Sequence, residues 1–430
     1  MSIQRFSKHD KMPALALFKK IIRGLWNKQP LWTRKLAIEF YMRLALKKLD
    51  SKRKIEPGDI VVTGLFGTLS GLGEGVRHLA SRLRAAGLTV GKSNVSRVAL
   101  LDDIDGGDLW SPSFTNGGVL ILSLNPYLLP FAFSSLGARR IGARYVIGIW
   151  YWEIQNFPKS WKRAVSCVDE IWAGSRFVAE GLRKIAGSTP VHVVPLPLDV
   201  ASTPTVPSRD PLPAFAGKTI VFFMYDVRST HARKNPEGII KAFRLAAENN
   251  SDYQLVIKIN NTELWPESEA RLKRLAEGCS NIHFMHEKLS NEDMKNLMAR
   301  VDIVISLHRS EGFGLLMAEG MAAAKPVIAT GWSANMDFMT PDSGILIDYD
   351  LVPVIDDQHG YDGLNAVWAE PRIEQAAEAL RRLIRDPEER ARLGQAARRQ
   401  ITAYLSPENW IKMLPESFWK YVAEEHKKRG

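Results

Sequence analysis

The sequence predicts an α/β protein with two doubly wound, Rossmann-like domains that face a cleft, preceded by a basic helical extension. Three observations lead to this prediction. Short apolar runs alternate with amphipathic stretches along most of the chain, which is typical of parallel sheets covered by helices. A proline-rich segment interrupts the alternation once. The chain has 430 residues, which is long enough for two hydrophobic cores.

The first alternating series predicts a domain over residues 56–200, and the second predicts one over 218–405. Residues 201–217 lie between them and read as a proline-rich linker. Residues 406–430 are predicted to form a C-terminal helix that crosses back to the first domain. The strands predicted for the first domain are Asp59–Gly64, Val119–Leu124, Tyr145–Ile149, Glu170–Trp172 and Val191–Val194. Ligands bind such sheets beyond the carboxyl ends of the strands.

Composition places the chain among globular proteins, with 45% hydrophobic and 24% charged residues. Its two cysteines give no disulfide framework, which favours a reducing compartment. We predict neither a signal peptide nor a transmembrane span, because the most apolar stretch, residues 117–133, is interrupted by serine and proline. A cytoplasmic protein is therefore expected.

Positive charge is concentrated at the N-terminus. Residues 1–54 hold 15 Lys/Arg and three acids, whereas the remaining chain holds 43 bases and 44 acids. Since no basic face is spread over the fold, nucleic acid is not an expected partner. Residues 1–55 read as a basic amphipathic extension whose apolar stripe consists of Phe18, Ile21, Ile22, Leu25, Trp26, Leu36, Phe40 and Leu44.

Two interpretations of this extension remain open. Residues 13–54 could lie on an anionic membrane surface, which would make the protein peripheral at the inner face of the cell membrane. Alternatively, the helices could pack on the body of the protein with their basic face in water.

The most informative motif is the segment from Ser306 to Gly320. It predicts a strand that ends near Ser306, a turn through Gly312 and Gly314, and a helix that begins near Leu315. The free N–H groups at such a helix start favour an anion such as a diphosphate. Glu311 and Glu319 bracket the turn, and carboxylates accept hydrogen bonds from sugar hydroxyls. The alternative is a surface loop with a capping acid.

A second motif, Tyr225 to Pro236, follows the first strand of the second domain. Asn235 is predicted to cap a helix that has Pro236 at its first position. Arg228 and Lys234 would then lie near the N-terminal end of that helix, where cations can hold a diphosphate and stabilise a leaving nucleotide. Arg233 is expected to be structural or exposed. The alternative is a solvated basic loop.

Two further segments belong to the first domain. The glycine-rich stretch from Gly64 to Gly75 does not fit the dinucleotide-binding pattern. We predict a flexible loop over the cleft, in which Gly71, Leu72 and Gly73 touch the acceptor or a donor phosphate. The alternative is a tight strand-to-helix turn.

The other segment is aromatic, and it places Glu153 after Trp150, Tyr151 and Trp152. Glu153 could bind an acceptor sugar or assist proton transfer, or the aromatic residues could be core packing.

No metal site is predicted. Asp103-Ile-Asp105 and Asp348-Tyr-Asp350 both spell D-x-D, a pattern that can bind a divalent cation. Such triplets are common by chance, and no histidine ligands lie nearby in sequence.

The second domain resembles glycosyltransferase family 4, the retaining "group 1" family with the GT-B fold. The resemblance is carried by Arg233-Lys234-Asn235-Pro236, by Glu311-Gly312-Phe313-Gly314 followed by Glu319, and by Lys325-Pro326-Val327. Residues 332–338 and 150–153 resemble a branch that assembles bacterial polysaccharides, while residues 1–55 are not covered.

The resemblance implies roles for particular residues. Arg228 and Lys234 would hold the donor diphosphate, Glu311 would bind the transferred sugar, and Glu319 would bind the ribose. The turn around these acids would meet the sugar or the phosphates through Ser310, Gly312, Phe313, Gly314 and Leu315. Glu153 stands in the region where the family usually has a histidine.

The implied reaction is transfer of a hexose, with mannose favoured, from a nucleotide-diphosphate sugar to a glycan or lipid-linked acceptor in cell-surface polysaccharide synthesis. The anomeric configuration would be retained, and neither metal nor cofactor would be required. Two alternatives remain: an epimerase or phosphorylase of the same fold, and a non-catalytic scaffold.

Overall fold

A computed structural model describes residues 31–68, 70–96 and 117–424. It contains two six-stranded parallel sheets, one formed by the first half of the chain and one by the second, and a separate two-stranded hairpin. The predicted fold class is therefore confirmed.

The first sheet has the strand order β2-β1-β3-β4-β5-β6. Its strands are β1 (Ile60–Gly64), β2 (Val90–Asn94), β3 (Val119–Ser123), β4 (Tyr145–Trp150), β5 (Glu170–Ala173) and β6 (Val191–Val193). The helices described before and between these strands are α1 (Leu31–Ala45), α2 (Gly71–Ala85), α3 (Leu129–Leu136), α4 (Ala138–Gly142), α5 (Trp161–Val165) and α6 (Arg176–Ala186).

The second sheet has the order β12-β11-β10-β7-β8-β9. Its strands are β7 (Thr219–Asp226), β8 (Tyr253–Asn260), β9 (Ile282–Met285), β10 (Ile303–Ser306), β11 (Val327–Thr330) and β12 (Ile345–Ile347). The intervening helices are α7 (His231–Lys234), α8 (Pro236–Ala247), α9 (Pro266–Leu275), α10 (Asn291–Arg300) and α11 (Leu315–Ala322). The antiparallel hairpin β13 (Tyr349–Pro353) and β14 (Val367–Pro371) follows, and then helices α12 (Ile373–Arg385) and α13 (Pro387–Leu405).

Apolar runs form these strands because both faces of each sheet are covered. All five residues of β1 are buried. Since neighbouring residues on a strand point to opposite faces, Val61 belongs to one core layer, while Ile60 and Val62 belong to the other. The layer that contains Ile60 continues into the core of the second domain.

The chain returns to the first domain after α13. Two short helices, α14 (Pro407–Lys412) and α15 (Glu416–Lys420), lie where one C-terminal helix was predicted. Phe418 packs against Trp172 with ring centroids 5.6 Å apart, and the hydroxyl of Ser417 donates a hydrogen bond to the buried carboxylate of Glu170. Residues 425–430 lie outside the described part of the chain.

The N-terminal extension is described from residue 31 onward, so the part of the predicted stripe from Phe18 to Trp26 lies outside the described residues. Helix α1 packs on α3: the ring of Tyr41 meets Phe131 edge-on at 5.5 Å, and Met42 is buried. None of the helices within the described ranges is long and apolar enough to cross a bilayer.

The predicted loop over the cleft is wrong in its second half. Helix α2 begins at Gly71, within the stretch predicted as a loop, because the Ser70 hydroxyl caps it by accepting a hydrogen bond from Gly73 N at 3.2 Å. Gly71, Leu72 and Gly73 therefore form a helical first turn rather than a flexible loop.

Candidate active site

The turn between β10 and α11 lies at the carboxyl edge of the second sheet, as predicted. Gly314 stands at the N-cap of α11 with φ = 95°, a left-handed conformation that favours glycine. No side chain caps this helix, whereas α8 and α10 are capped by Asn235 and Ser290. The N–H groups of the first turn are therefore not taken by a capping side chain, which suits binding of an anion.

Phe313 and Leu315 flank this glycine in different environments. The Phe313 ring is buried against Phe338, with centroids 5.5 Å apart. Because its ring is buried, Phe313 can meet a ligand only through its backbone. Leu315 is the first residue of α11 and is half-buried.

Glu311 is the centre of a charged cluster. Glu311 is 7% exposed, and its carboxylate forms a close ion pair with the Lys234 ammonium and lies 3.1 Å from Arg233 Nη1. Burial by itself would raise the pKa of Glu311, but the charges of Lys234 and Arg233 reverse the effect and lower it to about 2. Glu311 is therefore ionised at neutral pH, and its backbone N–H donates to Ser333 Oγ at 2.8 Å.

Lys234 reaches Glu311 because of the local structure around Asn235. Asn235 adopts a left-handed conformation with φ = 52° and ends the short helix α7. Its side chain accepts from Gly238 N at 3.1 Å to start α8 and donates to Leu307 O at 2.9 Å. The predicted cap at Asn235, with Pro236 at the first helical position, is thus confirmed.

Arg233 was expected to be either structural or exposed, and the structure shows the structural alternative. Arg233 is 2% exposed, and its guanidinium donates to Ser310 O at 2.7 Å and Ser229 O at 2.8 Å. Burial would lower the pKa of Arg233, but the surrounding acids, Glu311 foremost, raise it. Arg233 is therefore a buried cation that holds Glu311 in place. A run of basic residues in the sequence does not indicate this burial.

Arg228 does not join this cluster. Its side chain is 45% exposed and pairs with Asp226 at 2.6 Å, on the turn that follows β7. The cationic pair predicted from the sequence was Arg228 with Lys234, whereas the pair that the structure places on Glu311 is Arg233 with Lys234. The reason is that Asp226, two residues before Arg228, offers a nearer carboxylate.

Glu153 lies at the seam between the two domains. Tyr361, from the segment that joins β13 to β14, donates a hydrogen bond to Glu153 Oε2 at 3.1 Å, and Arg233 Nη2 lies 3.8 Å from Glu153 Oε1. Trp152 packs edge-on against Tyr361 at 5.5 Å. Glu153 and Glu311 therefore share Arg233, although they come from different domains.

Gly312 brings the two domains into close contact. A Cβ on Gly312 would lie 2.9 Å from Trp152 O, so only glycine fits. Gly312 O accepts from Ser175 Oγ at 3.0 Å. Ser310, two residues earlier, has a buried hydroxyl without a hydrogen-bond partner among the described residues, which is typical of a polar group that awaits a ligand or water.

Glu319 differs from Glu311 in its electrostatics. Burial, with a smaller contribution from repulsion by Glu74 of the first domain, raises the pKa of Glu319 to about 8. Glu74 is itself paired with Arg77 at 2.7 Å. Glu319 thus lies near the start of α2, where the like charge of Glu74 acts on it.

Three residues near the site were missed by the sequence prediction. His308 is fully buried, and burial lowers its pKa to about 4, so that it is neutral at pH 7. Tyr361 lies in a segment without motif or periodicity, and no sequence signal could have found it. Tyr127 follows β3, and its pKa is raised by burial and by the charge of Glu153. Its position after a strand of the first sheet was the one available signal.

Only one of the two D-x-D triplets lies within the described residues. Asp103 and Asp105 lie outside the described residues. Asp350 lies on strand β13, and its carboxylate is 3.5 Å from the guanidinium of Arg372, just after β14. In the part of the chain that the structure describes, there is no group of His, Cys, Asp and Glu side chains arranged to hold a metal ion.

Comparison with known proteins finds a family model that matches part of the second half of the chain. Residues 209–400 match the model of the family "Glycosyl transferases group 1". The match covers less than half of the chain, and the architecture of two parallel six-stranded sheets is that of the GT-B fold.

Two curated relatives match over part of the chain. Trehalose synthase of Rubrobacter xylanophilus is 26% identical over 192 residues, which cover 43% of this chain and 40% of that protein. A GDP-mannose-dependent monoacylated alpha-(1-6)-phosphatidylinositol monomannoside mannosyltransferase of Corynebacterium glutamicum is 28% identical over 179 residues, which cover 40% of each. The chain thus spans less than half the length of these two relatives.

A solved structure shares the fold over most of the chain. The crystal structure of HepE from Anabaena in complex with UDP and glucose superimposes with a TM-score of 0.58 at 13% identity. The match covers 84% of this chain and all of HepE.

Proposed function

We propose that the protein is a retaining glycosyltransferase that moves a hexose from a nucleotide-diphosphate sugar to a hydroxyl of a glycan or lipid-linked acceptor. The observation that carries the proposal is the cluster of Lys234, Arg233 and Glu311 beside the uncapped start of α11. The match of residues 209–400 to the group 1 model supports it.

The donor's diphosphate would lie at the start of α11, where backbone N–H groups and Lys234 offer hydrogen bonds and positive charge. Glu311 would accept hydrogen bonds from hydroxyls of the transferred sugar, held in place by Arg233 from behind. Glu319, further along α11, would bind the ribose. As the sugar–phosphate bond breaks, charge develops on the diphosphate, and Lys234 stabilises it.

The acceptor would enter from the first domain, beside Glu153 and Tyr127. Under retention, the diphosphate leaves on the face that the acceptor enters, and its oxygen takes the acceptor's proton. Glu153 then orients the acceptor hydroxyl. Neither a metal nor a cofactor takes part in this scheme, so EDTA should leave turnover unchanged.

For the donor sugar we propose mannose. The relative in Corynebacterium glutamicum is named as GDP-mannose-dependent, which supports this choice, whereas the HepE complex contains UDP and glucose. Cell-surface polysaccharide synthesis in the cytoplasm, at the inner face of the membrane, is the corresponding role.

A donor panel tests the proposal directly. Calorimetry with GDP-mannose, UDP-glucose and the free nucleotides should give binding for one base, with GDP-mannose the tightest. Absence of binding to every nucleotide sugar would overturn the proposal and leave the scaffold alternative. Product analysis with donor alone separates an epimerase, which needs no acceptor, from a transferase. The anomeric configuration of the product, read by NMR, tests retention.

Two substitutions test the site once a donor is known. Lys234→Ala and Glu311→Ala should each lower kcat at least about a hundredfold, because each removes a charged contact to the reacting groups. Lys241→Ala and Glu292→Ala serve as matched controls, since both positions are exposed on helices of the same domain. Normal turnover in Lys234→Ala or Glu311→Ala would contradict the assignment.

A further inference from the structure

Helix α1 is apolar on two opposite faces, and only one of them is covered. Its inner face packs on α3 through Tyr41 and Met42. Its outer face carries Leu36, Phe40 and Leu44, which are 57%, 63% and 65% exposed. The spacing of four residues places these three side chains on one stripe. We call them the outer stripe.

A stripe of three large apolar side chains in water is unusual for a helix that is already anchored by its other face. The packing interpretation from the sequence explains only the inner face. Within the described residues, nothing covers the outer stripe, so its occupant must come from elsewhere.

The charge around the outer stripe identifies the chemistry of that occupant. Arg43 lies one turn after Phe40 and is exposed, and the exposed Lys47 and Lys48 follow the end of the helix. Helix α5 packs beside α1 and adds the exposed Lys162 and Arg163. An apolar stripe with a basic border suits an anionic bilayer surface, where the stripe enters the acyl boundary and the bases meet the headgroups.

The same charges disfavour two other occupants. A second copy seated on this face would bring two basic surfaces together. Residues 1–30 contain seven Lys/Arg and one acid, so their docking on the stripe would also join like charges. We infer that α1 docks the protein on an anionic lipid surface through Leu36, Phe40 and Leu44.

Docking through α1 would also orient the acceptor side of the cleft. Helix α3, on which α1 packs, continues directly from the turn Pro126–Leu128. Asn125, just before that turn, accepts a hydrogen bond from Tyr151 N at 2.9 Å, next to the aromatic segment that holds Glu153. The docked helix therefore lies one helix away from the acceptor side, which fits an acceptor with a lipid anchor. This last step rests on the proposed function, whereas the docking itself does not.

The test compares variants of the full chain for binding to vesicles of phosphatidylcholine, alone or mixed with phosphatidylglycerol. The stripe variant is Leu36→Ser, Phe40→Ser and Leu44→Ser combined. The matched control replaces three exposed apolar residues of the linker and second domain, Val206, Leu245 and Leu264, by serine.

We expect the wild type and the control variant to bind mixed vesicles more tightly than neutral ones. The stripe variant should bind the mixed vesicles at least about tenfold more weakly than the wild type. Equal binding of stripe variant and wild type, or equal binding of the wild type to both vesicle types, would overturn the inference. A wild-type dimer that the stripe variant abolishes would point to a second copy. A lower Tm of the stripe variant with unchanged vesicle binding would point to residues 1–30.

The outcome is separable from that of the proposed function. Donor binding in solution, and transfer to an acceptor sugar without a lipid, should be the same in the stripe variant and the wild type, because the stripe faces away from the core. If the wild type itself shows neither donor binding nor transfer, the proposed function fails, whereas the vesicle result still stands by itself.

Discussion

Arg233 and Arg228 are five residues apart in sequence, but they differ in burial and in the carboxylate with which they pair. Arg233 is buried and uses its guanidinium for two carbonyl oxygens and for Glu311. Arg228 is half-exposed and is paired with Asp226. The sequence placed both in one basic segment, but burial and the position of the nearest carboxylate are tertiary properties. The roles of the two arginines could therefore not be assigned by motif alone.

Substitution by lysine distinguishes the two positions. Arg233→Lys should destabilise the fold by about 2 kcal/mol or more, because an ammonium cannot satisfy three separate acceptors in this geometry. Arg228→Lys should change the free energy of unfolding by less than about 0.5 kcal/mol, since its ion pair is exposed. Urea unfolding monitored by circular dichroism measures both. Equal effects of the two substitutions would contradict the role given to Arg233.

The raised pKa of Glu319 makes the stability of the protein depend on pH. Its pKa in the folded protein is about 8, above its ordinary value of 4.5, so the folded state binds its proton more tightly than the unfolded state. The stabilisation from this proton is fully present at low pH and is lost as the pH rises from about 4.5 to about 8.

Glu319→Gln removes this titration. Relative to the wild type, the variant should gain stability between pH 5 and pH 9, by about 1 kcal/mol once partial solvent access is considered. Chemical denaturation at several pH values measures the difference. Glu292→Gln, at an exposed position on α10, should show no such gain, and a flat difference for Glu319→Gln would refute the prediction.

At the scale of elements, the strands and helices that carry the site were predictable from local patterns. The turn from β10 to α11 and the Asn235 cap of α8 follow from glycine, proline and asparagine at positions where their backbone or side chain is needed. The start of α2 was misplaced because three residues of its first two turns are glycine, which lowers helix propensity. The Ser70 cap, and packing of the first turn on the preceding loop, decide that the helix forms there.

A pair of glycines in α2 tests this account. A Cβ on Gly73 would meet Thr68 O at 2.2 Å, whereas a Cβ on Gly71 would meet nothing within 4 Å. Gly73→Ala should therefore destabilise the protein by about 2 kcal/mol or more, because backbone must move. Gly71→Ala should be neutral or slightly stabilising, since alanine favours a helix. Thermal melts of the two variants give the comparison, and a neutral Gly73→Ala would show that the loop accommodates the methyl group freely.

At the scale of the whole molecule, the site is built by contact between the domains. Glu153 from the first domain receives a hydrogen bond from Tyr361 and lies near Arg233, both of the second domain. Further contacts hold the same seam: Arg176 pairs with Asp337 at 2.9 Å, and Asn156 Nδ2 donates to Leu364 O at 2.8 Å. Tyr361 is thus a positioning residue that acts through Glu153.

Tyr361→Phe tests that role. Without the hydroxyl, the carboxylate of Glu153 loses a donor from the other domain, and the acceptor is oriented less well. Transfer to the acceptor should fall about tenfold or more, while donor affinity and the slow hydrolysis of donor by water should change less than about twofold. Tyr253→Phe, at the start of β8, is the matched control. A parallel loss of transfer and donor binding would indicate a general structural effect instead.

The sequence by itself determined the alternation of strands and helices, the glycine turn with its two glutamates, and the basic character of the N-terminus. These are local properties, because helix and strand propensity, helix capping and local charge depend on residues that are close in sequence. The tertiary structure decided which arginine supports Glu311, why Glu311 and Glu319 have opposite pKa shifts, and that Tyr361 reaches Glu153. Those outcomes depend on burial and on distances between residues far apart in the chain, and the electrostatic energy of a charge is set by its surroundings rather than by its neighbours in sequence.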